Sequence, residues 1–83
     1  LSAQEDRALT KELNALERRM GKVQATVDDL NRQLAEAAAP ADGNIDTALL
    51  ADLDSRLTAA KDEHDELEMT WLEVAERRET GGA

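Results

Sequence analysis

Eight apolar residues in the first half of this chain, Leu9, Leu13, Leu16, Met20, Val23, Val27, Leu30 and Leu34, are separated by steps of 4, 3, 4, 3, 4, 3 and 4 without a slip. A mean step of about 3.5 residues keeps all eight on one stripe of an α-helix, and the two-residue period of a β-strand cannot accommodate it. In heptad terms, residues 13, 20, 27 and 34 are a positions and 9, 16, 23 and 30 are d positions. The second half carries a matching seam, with Leu50, Leu57, His64 and Trp71 at a and Leu53, Ala60, Leu67 and Val74 at d. An apolar stripe of two positions in seven suits a pair of helices packed on each other and little more.

Between the seams lies Ala39-Pro40-Ala41-Asp42-Gly43-Asn44, a cluster of helix breakers. Proline disfavours α geometry at the residue before it, so the first helix is expected to stop ahead of Pro40. Its start is marked by Ser2-Ala3-Gln4-Glu5, a capping-box pattern. Asp46 is the expected N-cap of the second helix, with Asn44 as the alternative; Ile45 and Leu50 are spaced as a hydrophobic staple. Gly21 sits at an outer b position, where it costs about 1 kcal/mol relative to Ala.

The expected fold is therefore all-α. Two long helices, residues 3–38 and 47–79, form an antiparallel coiled-coil hairpin about a turn at 39–46. Antiparallel layers pair Leu34 with Leu53, Leu30 with Leu57, Val27 with Ala60, Val23 with His64, Met20 with Leu67, Leu16 with Trp71 and Leu13 with Val74. Ala37 faces Leu50 near the turn. Two thin layers, Val27–Ala60 and Val23–His64, make the middle of the stem its expected weak point. Across the flanks, Glu12 is expected near Arg77 and Glu17 near Glu68, each pair worth under about 1 kcal/mol at an exposed site. Residues 1–83 read as a single domain, with 80–83 as a flexible tail. The start at Leu1 and the Thr80-Gly81-Gly82-Ala83 ending are those expected of a piece of a larger protein.

Composition narrows the function. The 83 residues include no cysteine, so disulfides and thiolate metal sites are excluded. No apolar run approaches the ~20 residues that span a bilayer. The net charge of −9 is unevenly spread: residues 1 to 45 hold 8 acids and 6 bases, residues 46 to 83 hold 11 and 4. Phosphate would be repelled by the second half, so nucleic-acid binding over the whole surface is not expected.

A basic ridge on the back of the first helix is the main candidate site. Lys11, Arg18 and Arg32 fall at f, with Arg7 and Lys22 beside them. Without exposed aromatics, such a ridge would touch backbone phosphates and not bases. The ordinary alternative is surface charge balanced by acids one turn away. Met69 and Leu72, at f and b of the second helix, are apolar residues facing outwards and form a second candidate, a contact patch for another domain. His64 in "KDEHDELE" is read as a polar seam residue that fixes register; with no second His, and with neighbouring carboxylates pointing apart, no metal site is expected. The acidic run from Asp62 to Glu68 is read as a solvated face. No phosphate loop, nucleophile elbow or catalytic carboxylate pair is present in the sequence, so this piece is not expected to be an enzyme.

The opening Leu1, Ser2, Gln4, Glu5 and Arg7, the central Pro/Asp/Gly break and Trp71 in "EMTWLEVAE" resemble the C-terminal coiled-coil domain of ABC-F ATPases of the Uup type. The resemblance covers nearly the whole chain. That family often has an aromatic residue before the Trp and another near the turn, whereas this chain has Met69 and Thr70 and no second aromatic. The resemblance implies a cytoplasmic parent with two ATP-binding cassettes upstream, which would hold ATP and Mg, and no cofactor in this domain. It also implies weak contact with DNA, ribosomal RNA or the ribosome, here through the ridge of the first helix. The alternative is a structural coiled coil that docks on its own ATPase domains or on another protein. The isolated domain is expected to be a monomer, the competing arrangement being a homodimer of two open chains.

Overall fold

In a computed structural model, residues 2–82 are described, and within them the chain is two α-helices with no strand. Helix α1 spans Ala3–Ala38 and helix α2 spans Thr47–Gly82, 36 residues each. At ~1.5 Å per residue each helix is ~54 Å long, and the molecule is a rod of 62 × 15 × 14 Å. The two helices pack on each other as an antiparallel hairpin. Leu1, part of the family resemblance, lies outside the described residues, as does Ala83.

Local chemistry explains each end. The Ser2 backbone is extended, and its hydroxyl accepts from the Glu5 amide at 3.1 Å, satisfying one of the unpaired N–H groups of the first turn. Glu5 and Asp6 place negative charge at that N-terminus, where the helix dipole favours it. Ahead of Pro40, Ala39 leaves α geometry at φ −132° and ψ 63°, and its amide bonds back to the Glu36 carbonyl. The reversal is a tight turn in which the Gly43 amide donates to the Pro40 carbonyl at 3.1 Å. Gly43 takes φ +74°, a left-handed conformation open to glycine at little cost. The Asp42 carboxylate accepts from the Asn44 amide, and Asp46 caps α2 by accepting from the Leu49 amide at 3.0 Å. Asp46 is thus the cap and Asn44 a turn residue. Ile45 stays 54 % exposed, so the spacing with Leu50 excludes little water.

Helix α2 continues through Thr80 and Gly81 to Gly82, three residues beyond the bound read from the seam. The Thr80 hydroxyl donates to the Glu76 carbonyl within this last turn.

The core is a single file of side chains between the helices, in two clusters. Val27, Leu30, Leu53, Leu57 and Ala60 form the one nearer the turn, with Val23, Leu34 and Ala37 packed against it. Leu13, Leu16, Leu67 and Val74 form the other, with Leu9, Met20, Val23, Trp71 and Ala75 against it. Val23 touches both. Leu50 and His64 are half-buried. Every residue of the two sequence seams is therefore at least half-buried, and the file narrows where Val23 meets the His64 level.

Candidate functional site

Arg7, Lys11, Arg18 and Lys22 are all exposed and lie on the side of α1 away from α2. They occupy b, c and f positions across residues 7–22, or ~22 Å of helix. The other b, c and f residues between 7 and 22 are Ala8, Asn14, Ala15 and Gly21, so no acid interrupts the stripe. Among the described residues none of the four is in an ion pair.

Arg32 differs. Its guanidinium bonds to Asp29 on one side and to Glu36 at 2.9 Å on the other, one turn before and one after. These two hydrogen bonds hold the Arg32 pKa above its ordinary value. Bonds from Arg32 and then Gln33 hold the Asp29 carboxyl below the usual carboxylate range. The charge at Arg32 is neutralised within its own helix, as the balancing alternative expects, whereas the other four have no such neighbours. The unopposed stripe thus ends at Lys22.

On α2, Met69 and Leu72 are exposed, at 61 % and 50 %. Exposed acids Asp65, Glu66, Glu68, Glu73 and Glu76 surround them. His64 Nδ1 lies 3.9 Å from the Glu68 carboxylate, and donor atoms of His64, Asp65 and Glu68 lie within 4.8 Å of one another. That convergence corrects the expectation that neighbouring carboxylates point apart, because side chains at i and i+4 share a face. Both carboxylates are exposed, an ordinary condition for acids on a helix surface. At mid-stem an open groove of about 630 Å³ runs over Ala25, Thr26, Ala59 and Ala60 and is flanked by charged residues, Asp29, Arg56 and Glu63.

Two contacts across the helices were missed in the sequence. The Trp71 indole N–H donates to the Glu17 carboxylate at 3.2 Å. Arg78 pairs with Asp6 at 3.1 Å, whereas Arg77 lines a groove with Glu5, Ala8 and Leu9 near the open end. A signal for each existed. A half-buried indole needs an acceptor, and both Asp6 and Arg78 fall on a positions one heptad beyond the apolar seams.

No protein-family model, curated protein or solved structure matches this chain. What the fold defines is a class: a two-helix antiparallel coiled-coil hairpin whose two backs carry opposite charge. No helix among the described residues is long and apolar enough to cross a membrane.

Proposed function

We propose that this chain is an accessory stem that contacts nucleic acid through backbone phosphates along Arg7, Lys11, Arg18 and Lys22. The observation that carries the reading is that, among the described residues, none of those four exposed cations is in an ion pair, in a stripe free of acids. A cation with no local counter-charge can neutralise a phosphate, and release the counterions condensed there, without first breaking an ion pair of its own. The rod supplies rigidity and reach, and the chain itself carries no chemistry. The parent is a cytoplasmic ABC-F ATPase of the Uup type, on the strength of the two end motifs, and the acidic α2 keeps binding weak and confined to one side.

The test is titration of labelled duplex DNA and of a ribosomal RNA helix with the chain across a salt series. Four phosphate contacts on duplex DNA set a slope of about −3.6 in log K against log salt. Lys11→Glu with Arg18→Glu is expected to abolish binding, and Arg32→Glu to leave it nearly unchanged. Absence of binding at low salt overturns the proposal.

A second reading is favoured by the exposure of Met69 and Leu72: docking of this end of the stem on the ATPase domains of its own parent. Met69→Ser with Leu72→Ser would then weaken co-purification with those domains and leave phosphate binding intact.

A further inference from the structure

We propose that the basic back of α1 and the acidic back of α2 are two halves of one contact, through which copies of this chain line up side by side. None of Arg7, Lys11, Arg18 and Lys22 has an acid three or four residues away in either direction. Arg7–Lys11 and Arg18–Lys22 are instead like-charge pairs one turn apart, an arrangement that weakens a helix unless an outside charge offsets it. Helix α2 carries like-charge neighbours of the opposite sign, although Glu73 has Arg77 one turn on. Glu73, Glu76 and Glu79 repeat at three-residue spacing, all exposed, beside the exposed Met69 and Leu72.

The two faces point away from each other yet lie at the same height, since Glu17 bonds to Trp71 and Leu13 shares a core cluster with Val74. Shifting one copy sideways by one rod width therefore sets its α1 antiparallel to the α2 of the next. Arg7 then comes level with Glu79, Lys11 with Glu76, and Lys22 with Asp65 and Glu66. Arg18 comes level with Met69, over which its aliphatic stem can lie, and Leu72 with Ala15. In the reversed orientation, the register that sets Lys11 at Asp65 also sets Arg7 against Lys61. Because the contacting faces differ, the contact is heterologous and propagates as an open row.

The net charge of −9 repels copies at a distance. At about 0.1 M salt the Debye length is ~10 Å, which screens that repulsion while charges in contact still attract. Association is therefore weak and strongest at intermediate salt. It makes no use of nucleic acid, although the α1 face can serve only one partner at a time.

Sedimentation velocity of the chain alone, over a concentration series reaching millimolar, tests this. The average mass is expected to rise with concentration near ~0.1 M salt and to return to that of one chain near ~1 M. Lys11→Glu with Lys22→Glu, and separately Glu66→Lys with Glu76→Lys, should each abolish the rise. An equimolar mixture of the two double variants should restore it, because each then meets opposite charge on both sides. All four substitutions remove like-charge neighbours within a helix, so circular dichroism should show helix retained in every variant. The α2 variant leaves the α1 stripe untouched, so its phosphate binding should persist and a failure here is separable from a failure of the proposed function. A monomer at every concentration and salt overturns the proposal, as does association that survives both double variants.

Discussion

The indole N–H of Trp71 donates to the carboxylate of Glu17 across the helix pair at 3.2 Å, while its ring packs against the cluster of Leu13, Leu16, Leu67 and Val74. The only aromatic residue of the chain is thus half-buried, apolar on one side and bonded at its edge. Truncation should remove mostly packing. A fully buried Trp→Ala substitution costs ~3–5 kcal/mol, so half-burial sets Trp71→Ala at about 2 kcal/mol. That is roughly 10 °C in melting temperature for a domain of this size. Glu17→Ala, which removes only an exposed hydrogen bond, should cost about 0.5 kcal/mol. Thermal melts followed by circular dichroism separate the two. Iodide should quench Trp71 only partially, and free quenching in the folded chain would mean that the register is wrong.

His64 stands where the core is thinnest, between the cluster that ends at Ala60 and the one that begins at Leu67. Val23 alone reaches both. A Leu at position 64 would bury more apolar surface opposite Val23 and join the clusters, a gain of about 1–2 kcal/mol. His64→Leu should therefore raise the midpoint of urea unfolding. Amides near Val23 and His64 should exchange faster than those near Leu53 in the wild type and slow in the variant. An unchanged midpoint would mean that a Leu at position 64 buries no more apolar surface than His64 does.

How much of this could be read beforehand depends on which interactions are periodic. The core from Leu9 to Val74 repeats every heptad, and the reversal is marked by Pro40 and Gly43, so both helices, the turn and the residues of the two core clusters were legible. The upper bound of α2 was not, because Thr80-Gly81-Gly82 carries no seam signal and weak helix propensity, yet it continues a helix already formed. Cross-helix polar contacts were equally hidden. Which of Arg77 and Arg78 turns inwards is settled by one helical step, and charge alone favoured neither; Asp6 on a seam position selects Arg78. The basic ridge was legible as a face, but its end was not until Asp29 and Glu36 were seen to close on Arg32.

That triad makes a pH prediction. Arg32 and Gln33 hold the Asp29 pKa below its ordinary value, Arg32 being the larger cause. A carboxyl whose folded pKa is depressed contributes stability above its unfolded pKa and loses it as pH falls through the folded value. The contribution of Asp29 should thus be intact at neutral pH and vanish below the ordinary carboxylate range. Carbon-detected titration should find Asp29 ionised to lower pH than in an Arg32→Gln variant, where its pKa moves back up. Salt should reduce the difference, since all three side chains are exposed. An Asp29 titration indifferent to Arg32 would break the triad, and Arg32 would rejoin the ridge.

Two glycines separate what the backbone requires from what it tolerates. At Gly21, in the middle of α1, an added Cβ meets nothing within 4 Å, and the backbone is helical. Ala there restricts the unfolded chain and improves helix propensity without a clash, so Gly21→Ala should stabilise by about 0.5–1 kcal/mol. Gly43 also has open space around it, but at φ +74°. Here the difficulty is the conformation itself, and Gly43→Ala should destabilise by roughly 1–2 kcal/mol. The two variants should therefore move the melting temperature in opposite directions although neither touches the core. Gly21 also interrupts the basic stripe between Arg18 and Lys22, so Gly21→Ala tests rigidity there too. Stiffening α1 at that point should leave phosphate binding equal or tighter, and weaker binding would mean that the stem must bend at Gly21 to make its contact.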